Sequence, residues 1–193
     1  MKKSLLLYIH GFNSSPLSLK ANLMQQFCQS HRPDIKVVIP KLPNFPEQAS
    51  IVLRDLVEEY RHQYQIGLVG SSLGGYLSVW LNEQYGFKSV LVNPAVKPYE
   101  LLADYLGEQT NPYTNETYCL ETHHIDELKQ LDVATIASPS DFWLLQQKED
   151  EVLDYRQAVE RFQGAKQTVE EGGDHSFVDF ERYPEKIVSF LDL

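Results

Sequence analysis

Ile66-Gly67-Leu68-Val69-Gly70-Ser71-Ser72-Leu73-Gly74-Gly75 reads as an apolar strand, an abrupt turn of small residues and the start of a helix near Leu73. Gly70-x-Ser72-x-Gly74 is the Gly-x-Ser-x-Gly pattern of a nucleophile elbow. A strand reversing sharply into a helix brings positions 70 and 74 too close for side chains, and glycine avoids the clash. The central serine then sits in a strained backbone conformation, with its hydroxyl raised above the sheet edge. The helix that follows turns free amides and a partial positive charge towards that hydroxyl. Such a five-residue pattern arises by chance in about one chain in fifteen of this length, so its context has to carry the reading. Between the two adjacent serines, only Ser72 has a glycine two positions away on each side.

The flanking sequence supplies that context. Leu5–Ile9 is a continuous apolar run, as expected of a parallel strand covered on both faces. It ends in the small-residue loop His10-Gly-Phe-Asn-Ser-Ser15, and a helix with Leu19, Leu23, Met24 and Phe27 on one face follows. Further strands are expected at Ile35–Ile39, Ser89–Val92, Phe142–Leu145 and Gln167–Val169. Helices are expected around 49–60, 73–81, 155–162 and 184–191. Segment 97–134 changes character: short amphipathic pieces at 99–106 and 125–131 flank a polar loop over 107–122. It has too few apolar residues for a core of its own and reads as a cap-like excursion from one domain spanning 1–193. Alternating strands and helices predict an α/β fold, a three-layer α/β/α sandwich around a mostly parallel sheet of about six strands. Binding sites in such sheets form at the carboxyl ends of the strands.

Composition narrows the function classes. The 193 residues carry 27 acidic and 17 basic side chains, a net charge of −10, which argues against nucleic-acid and anionic-membrane partners. No apolar run reaches transmembrane length, and the N-terminal one stops after five residues without a small-residue cleavage site. The cytoplasm is the expected location and a monomer the expected state. Cys28 and Cys119 make no disulfide framework, and Cys28 reads as a buried apolar residue. No metal set is expected, because His123 and His124 are adjacent and should diverge. No nucleotide-binding glycine pattern is present, so no cofactor is expected.

The loops after the third, fifth and sixth strands carry Ser72, an acidic cluster and His175, in the chain order of an α/β-hydrolase triad. A serine hydroxyl is a poor nucleophile without a base in hydrogen-bond reach. His175 suits that role, since it follows two glycines that let its loop approach the site. For the acid that orients the imidazole, Asp150 directly follows the fifth strand, and Asp154 is the alternative, with a helix N-cap as its other role. Glu149 and Glu151 read as solvated, and Asp141 precedes the strand. The backbone N–H groups of Phe12 and Leu73 form the expected oxyanion hole, with Gly11 permitting an unusual turn before Phe12. His10 reads as a structural hydrogen-bonding residue, and His31 and His62 as helix-end cations.

His10-Gly-Phe-Asn-Ser-Ser-Pro16, Gly70-Ser-Ser-Leu-Gly-Gly-Tyr76, Asn93-Pro-Ala-Val96, Asp150-Glu-Val-Leu-Asp-Tyr155 and Glu171-Gly-Gly-Asp-His-Ser-Phe177 together resemble the YqiA-like family of small bacterial serine esterases. The resemblance spans almost the whole chain. It implies an α/β-hydrolase fold with a reduced cap, esterase activity on acyl esters or thioesters, and the triad Ser72, Asp150 and His175. Lys148-Glu149 departs from the Thr-Gly type of turn usual before the family's acid. The function expected is therefore two-step acyl transfer to water from a small-molecule ester or thioester. The alternatives are a catalytically weak binding protein of the same fold, or a dedicated acyl-thioesterase or acyltransferase. Tyr99, Tyr105, Tyr113 and Tyr118 are the expected aromatic lining of an open cleft.

Overall fold

A computed structural model describes residues 2–193. Six strands form one sheet in the order β2-β1-β3-β4-β7-β8. They are β1 (Lys3–Ile9), β2 (Ile35–Val38), β3 (Tyr64–Ser71), β4 (Ser89–Val92), β7 (Phe142–Gln147) and β8 (Lys166–Glu170). All five pairings are parallel. The six expected strands are those observed, each with its core inside the apolar run.

An apolar run covered on both faces still divides its side chains by the two-residue period of a strand. Leu6 and Tyr8 of β1 pack with Val69 against α1 (Leu19–His31) and α7 (Pro184–Phe190). Leu5, Leu7 and Ile9 pack with Ile66 and Leu68 against α2 (Pro46–Tyr60) and α3 (Leu73–Tyr85). Phe142 and Leu144 of β7 meet α6 (Tyr155–Arg161) through Ala158 and through Phe162 just after it. Helices thus cover both faces of the sheet, giving the three-layer sandwich. Since β1 leads outwards to β2 while β3 leads the other way to β4, the order reverses between β1 and β3. A crevice opens beyond their carboxyl ends at such a switch point.

The segment after β4 differs from its expectation. It holds α4 (Pro98–Leu101), a 3-10 turn at Leu102–Tyr105 and α5 (Thr122–Gln130). The stretch read as a polar loop contains an antiparallel hairpin, β5 (Gly107–Thr110) with β6 (Thr117–Leu120). Its strands are too polar to show a buried face, and the signal lies in the turn. The Asn111 side chain accepts from the amides of Tyr113 and Thr114 and donates to the Ser14 carbonyl at 3.0 Å. One buried asparagine thereby closes the hairpin and ties it to the loop after β1. Tyr118 adds a second tie, donating to Asn13 Oδ1 at 2.6 Å.

Candidate active site

Ser72 stands between β3 and α3 with φ 54° and ψ −120°, a conformation that L-residues hold only when surroundings impose it. Those surroundings are tight. A Cβ on Gly70 would lie 2.3 Å from the Gly74 carbonyl oxygen, and one on Gly74 only 1.9 Å from the Ile9 carbonyl oxygen. The second contact was not foreseen, because it comes from β1 rather than from within the turn. Gly11 also needs a different explanation from the one expected. Its φ is not in the left-handed region. Instead, a Cβ there would press to 3.1 Å from Ser72 Cβ, so glycine is required for close approach.

Three strand-end loops converge on Ser72. Ser72 Oγ lies 3.1 Å from His175 Nε2, and His175 Nδ1 lies 2.9 Å from Asp150 Oδ2 and 3.0 Å from Oδ1. A carboxylate only accepts, so Nδ1 carries the proton in the neutral ring; Nε2 is then the acceptor and the serine hydroxyl donates to it. The Asp150 side chain is fully buried and that of His175 is 23% exposed. Asp150 Oδ1 also accepts from the amides of Val152 and Leu153, both at 2.9 Å, so the carboxylate is held by its own loop. Asp154 is elsewhere engaged: it caps α6 by accepting from the Arg156 amide, and it pairs with the Arg156 guanidinium. Asp141 lies near Asn82 at the opposite end of β7. Lys148 and Glu149 do not disturb the loop, since their amides bond to the carbonyls of Glu170 and Gly172.

The amides of Phe12 and Leu73 have no acceptor among the described residues. Leu73 is the first residue of α3, where such amides are left over by helix geometry. Phe12 follows Gly11 beside Ser72. Both are free to bind a developing anion. His10 Nδ1 donates to the Gly11 carbonyl and Nε2 accepts from the Leu42 amide. Burial holds its pKa below the usual value, so it is a neutral strut for this loop.

Several positioning residues escaped the sequence reading. Asn93, fully buried with φ 40°, donates to the carbonyls of Asp174 and His175 and accepts from the Gln147 amide. The Gln147 side chain accepts from the amides of Asp174 and Val178. Together they hold the loop that carries His175, and the only sequence signal was polar residues at strand ends. Glu151 is not merely solvated: it accepts from the His175 amide at 3.0 Å.

Glu170, at the end of β8, anchors the same loop. Partial burial raises its pKa, but hydrogen bonds from Arg182, Tyr183 and Gln147 prevail and hold it at about 2. A carboxyl depressed in the folded state stabilises the protein fully above its ordinary value of 4.5, and that contribution is lost as the pH falls through about 2. Urea midpoints measured from pH 6 downwards should therefore fall less steeply below pH 4.5 for Glu170→Gln than for the parent. Parallel curves would contradict the assignment.

Two cavities flank Ser72. One, of about 260 Å³, is bounded by the end of β1, the start of α1, His175 and the hairpin residue Tyr113. The other is an apolar slot of about 80 Å³ lined by Phe12, Leu73, Leu101, Leu102, Tyr105 and Leu128 among others. Of the four expected tyrosines, Tyr105 and Tyr113 line these cavities and Tyr99 and Tyr118 do not. His123 and His124 do not diverge as expected: their ring centroids lie 3.9 Å apart, and one ring nitrogen of each and a Glu127 carboxylate oxygen lie within 4.8 Å of one another, a set that could hold a metal ion. Neither histidine lines a cavity beside Ser72. Among the described residues, no helix is long and apolar enough to cross a membrane.

The model of an uncharacterised protein family, UPF0227, matches residues 5–192. Among solved structures, Est1E from Butyrivibrio proteoclasticus with ferulic acid bound superposes with a TM-score of 0.74 at 14% identity, over 98% of this chain and 88% of that one. Alpha/beta hydrolase domain-containing protein 10 from mouse gives 0.74 at 17% identity, over 100% and 92%. A structure from the study of the metagenome-derived lipolytic enzymes LipS and LipT gives 0.70 at 17% identity, over 99% and 94%. These likenesses establish the α/β-hydrolase fold.

Proposed function

The chain belongs to the uncharacterised protein family UPF0227, and we propose that it is a serine hydrolase cleaving acyl esters or thioesters through Ser72, His175 and Asp150. One observation carries the reading: a single imidazole bridges the serine hydroxyl at 3.1 Å and a buried carboxylate at 2.9 Å. The solved structures of the same fold, one with ferulic acid bound and one from a study of lipolytic enzymes among them, are consistent with it.

In the proposed reaction His175 Nε2 takes the Ser72 proton as Oγ bonds to the substrate carbonyl carbon. The carbonyl oxygen becomes an oxyanion received by the Phe12 and Leu73 amides. Collapse expels the alcohol or thiol, which leaves with the proton from His175, and an acyl-serine remains. Water then repeats the sequence: His175 takes its proton, the acid is released and Ser72 is restored. Asp150 stays ionised and stabilises the imidazolium formed in each half. We further propose that residues 1–193 act as one hydrolase unit, with segment 97–134 its cap; Leu101, Leu102 and Tyr105 from that segment wall the slot.

A fluorophosphonate probe tests the proposal directly. The expected result is stoichiometric labelling, with the modified peptide containing Ser72. An unlabelled protein, or a label on another residue, would refute the reading and favour a binding protein of the same fold.

A further inference from the structure

Building on the serine-hydrolase reading, we propose that the substrate carries an anionic group and that the cavity on the α1 side of Ser72 is the subsite that binds it. The two spaces beside Ser72 differ in chemistry. The slot is apolar, whereas the wall of the larger cavity contributes the Tyr8 and Ser18 hydroxyls and the Lys20 ammonium.

Tyr8 is 0% exposed; its hydroxyl faces those of Ser18 and Ser71, but neither it nor Ser18 Oγ reaches hydrogen-bonding geometry with any group of the protein. Buried hydroxyls are nearly always paired, because an unpaired one forfeits its hydration without return. Two unpaired ones on the wall of one cavity mark it as built to receive polar atoms. Ser18 is the N-cap residue of the thirteen-residue helix α1, yet its side chain does not cap. The amides of Leu19, Lys20 and Ala21, left over by helix geometry, have no acceptor among the described residues. Lys20 Nζ donates to the Ser176 carbonyl at 2.7 Å and forms no ion pair among the described residues. A helix N-terminus, an ammonium and two free hydroxyls therefore meet at one wall, the donor set expected for a carboxylate or phosphate.

The surroundings set the charge of this wall. Burial pushes the Lys20 pKa down to about 8, while Asp174 and Asp150 raise it. The ammonium is still charged at neutral pH, inside a protein whose net charge of −10 would otherwise repel an anion. Screening confines that general repulsion to about 8 Å at physiological salt. The local donors therefore prevail inside the cavity.

Two matched pairs of substrates test the proposal and show which half of the ester is anionic. Mono-4-nitrophenyl adipate against 4-nitrophenyl hexanoate varies the acyl half. 1-Butyrylglycerol 3-phosphate against 1-butyrylglycerol varies the leaving half. In one pair the anionic member should have the higher kcat/KM, and Lys20→Met should lower that anionic-to-neutral ratio about 10- to 100-fold. Lys20→Arg should restore most of it. Tyr8→Phe should lower the same ratio about 3- to 10-fold with little change in Tm, since the lost hydroxyl makes no well-formed hydrogen bond in the protein. Should Lys20→Met not fold, the Tyr8→Phe ratio decides. Ratios unchanged in these variants, with Ser72 still labelled by fluorophosphonate, would overturn the anionic subsite alone. Absence of that label would overturn the serine-hydrolase reading as well.

Discussion

Replacing Ser72 by alanine is expected to lower kcat for an activated ester by about 10⁴- to 10⁶-fold and to leave the fold intact. The size of the loss follows from what alanine removes. Without Oγ no acyl-enzyme forms, and His175 and the two free amides promote only direct attack by water. The expectation of an intact fold follows from the packing. The Ser72 side chain makes one hydrogen bond, to His175, and does not cap α3. Its unusual backbone is imposed by Gly70, Gly74 and β1, none of which the substitution changes. Circular dichroism and Tm should therefore match the parent while hydrolysis disappears. Equal rates in variant and parent would end the proposal.

Asp150→Asn should reduce kcat by about 10⁴-fold, while Asp154→Asn stays near the parent rate. Asparagine keeps an oxygen for the amides of Val152 and Leu153, so the loop can persist. Its –NH₂, however, then faces His175 Nδ1. A donor there requires Nδ1 to accept, which places the ring proton on Nε2. The nitrogen facing Ser72 can no longer take the hydroxyl proton. The loss thus comes from the tautomer rather than from displacement, and KM should move little. Asp154 shares no contact with His175, and its carboxylate is spent on the α6 N-terminus and Arg156. Asparagine caps a helix about as well as aspartate, so Asp154→Asn loses only the surface pair with Arg156 and no chemistry. The opposite ranking of the two variants would reassign the acid.

Most of the fold is legible along the chain because each strand is a local apolar run, bounded by small or proline residues, whose length suits a parallel strand. The hairpin at 107–120 is not, because Glu108, Gln109 and Thr110 bury no regular face, and Asn111 does its work through a contact with Ser14. The same division runs through the candidate site. Gly70, Ser72, Gly74 and the glycines before His175 announce themselves, since backbone conformation and crowding restrict residue type at those positions. Asn93 and Gln147 do not, because a polar residue at a strand end acquires its role only from the loop that packs over it.

Composition, apolar periodicity and the order of Ser72, Asp150 and His175 thus set the architecture and nominate the three side chains, since each is a local property of the chain. Three matters were settled only by packing. Gly11 is needed for close approach to Ser72 rather than for its backbone angle. Glu151 reaches the His175 amide. Tyr8, Ser18 and Lys20 meet at one cavity because α1 docks on the face of β1 that carries Tyr8. Strand register and helix docking bring together residues far apart in sequence, and no local pattern encodes that distance.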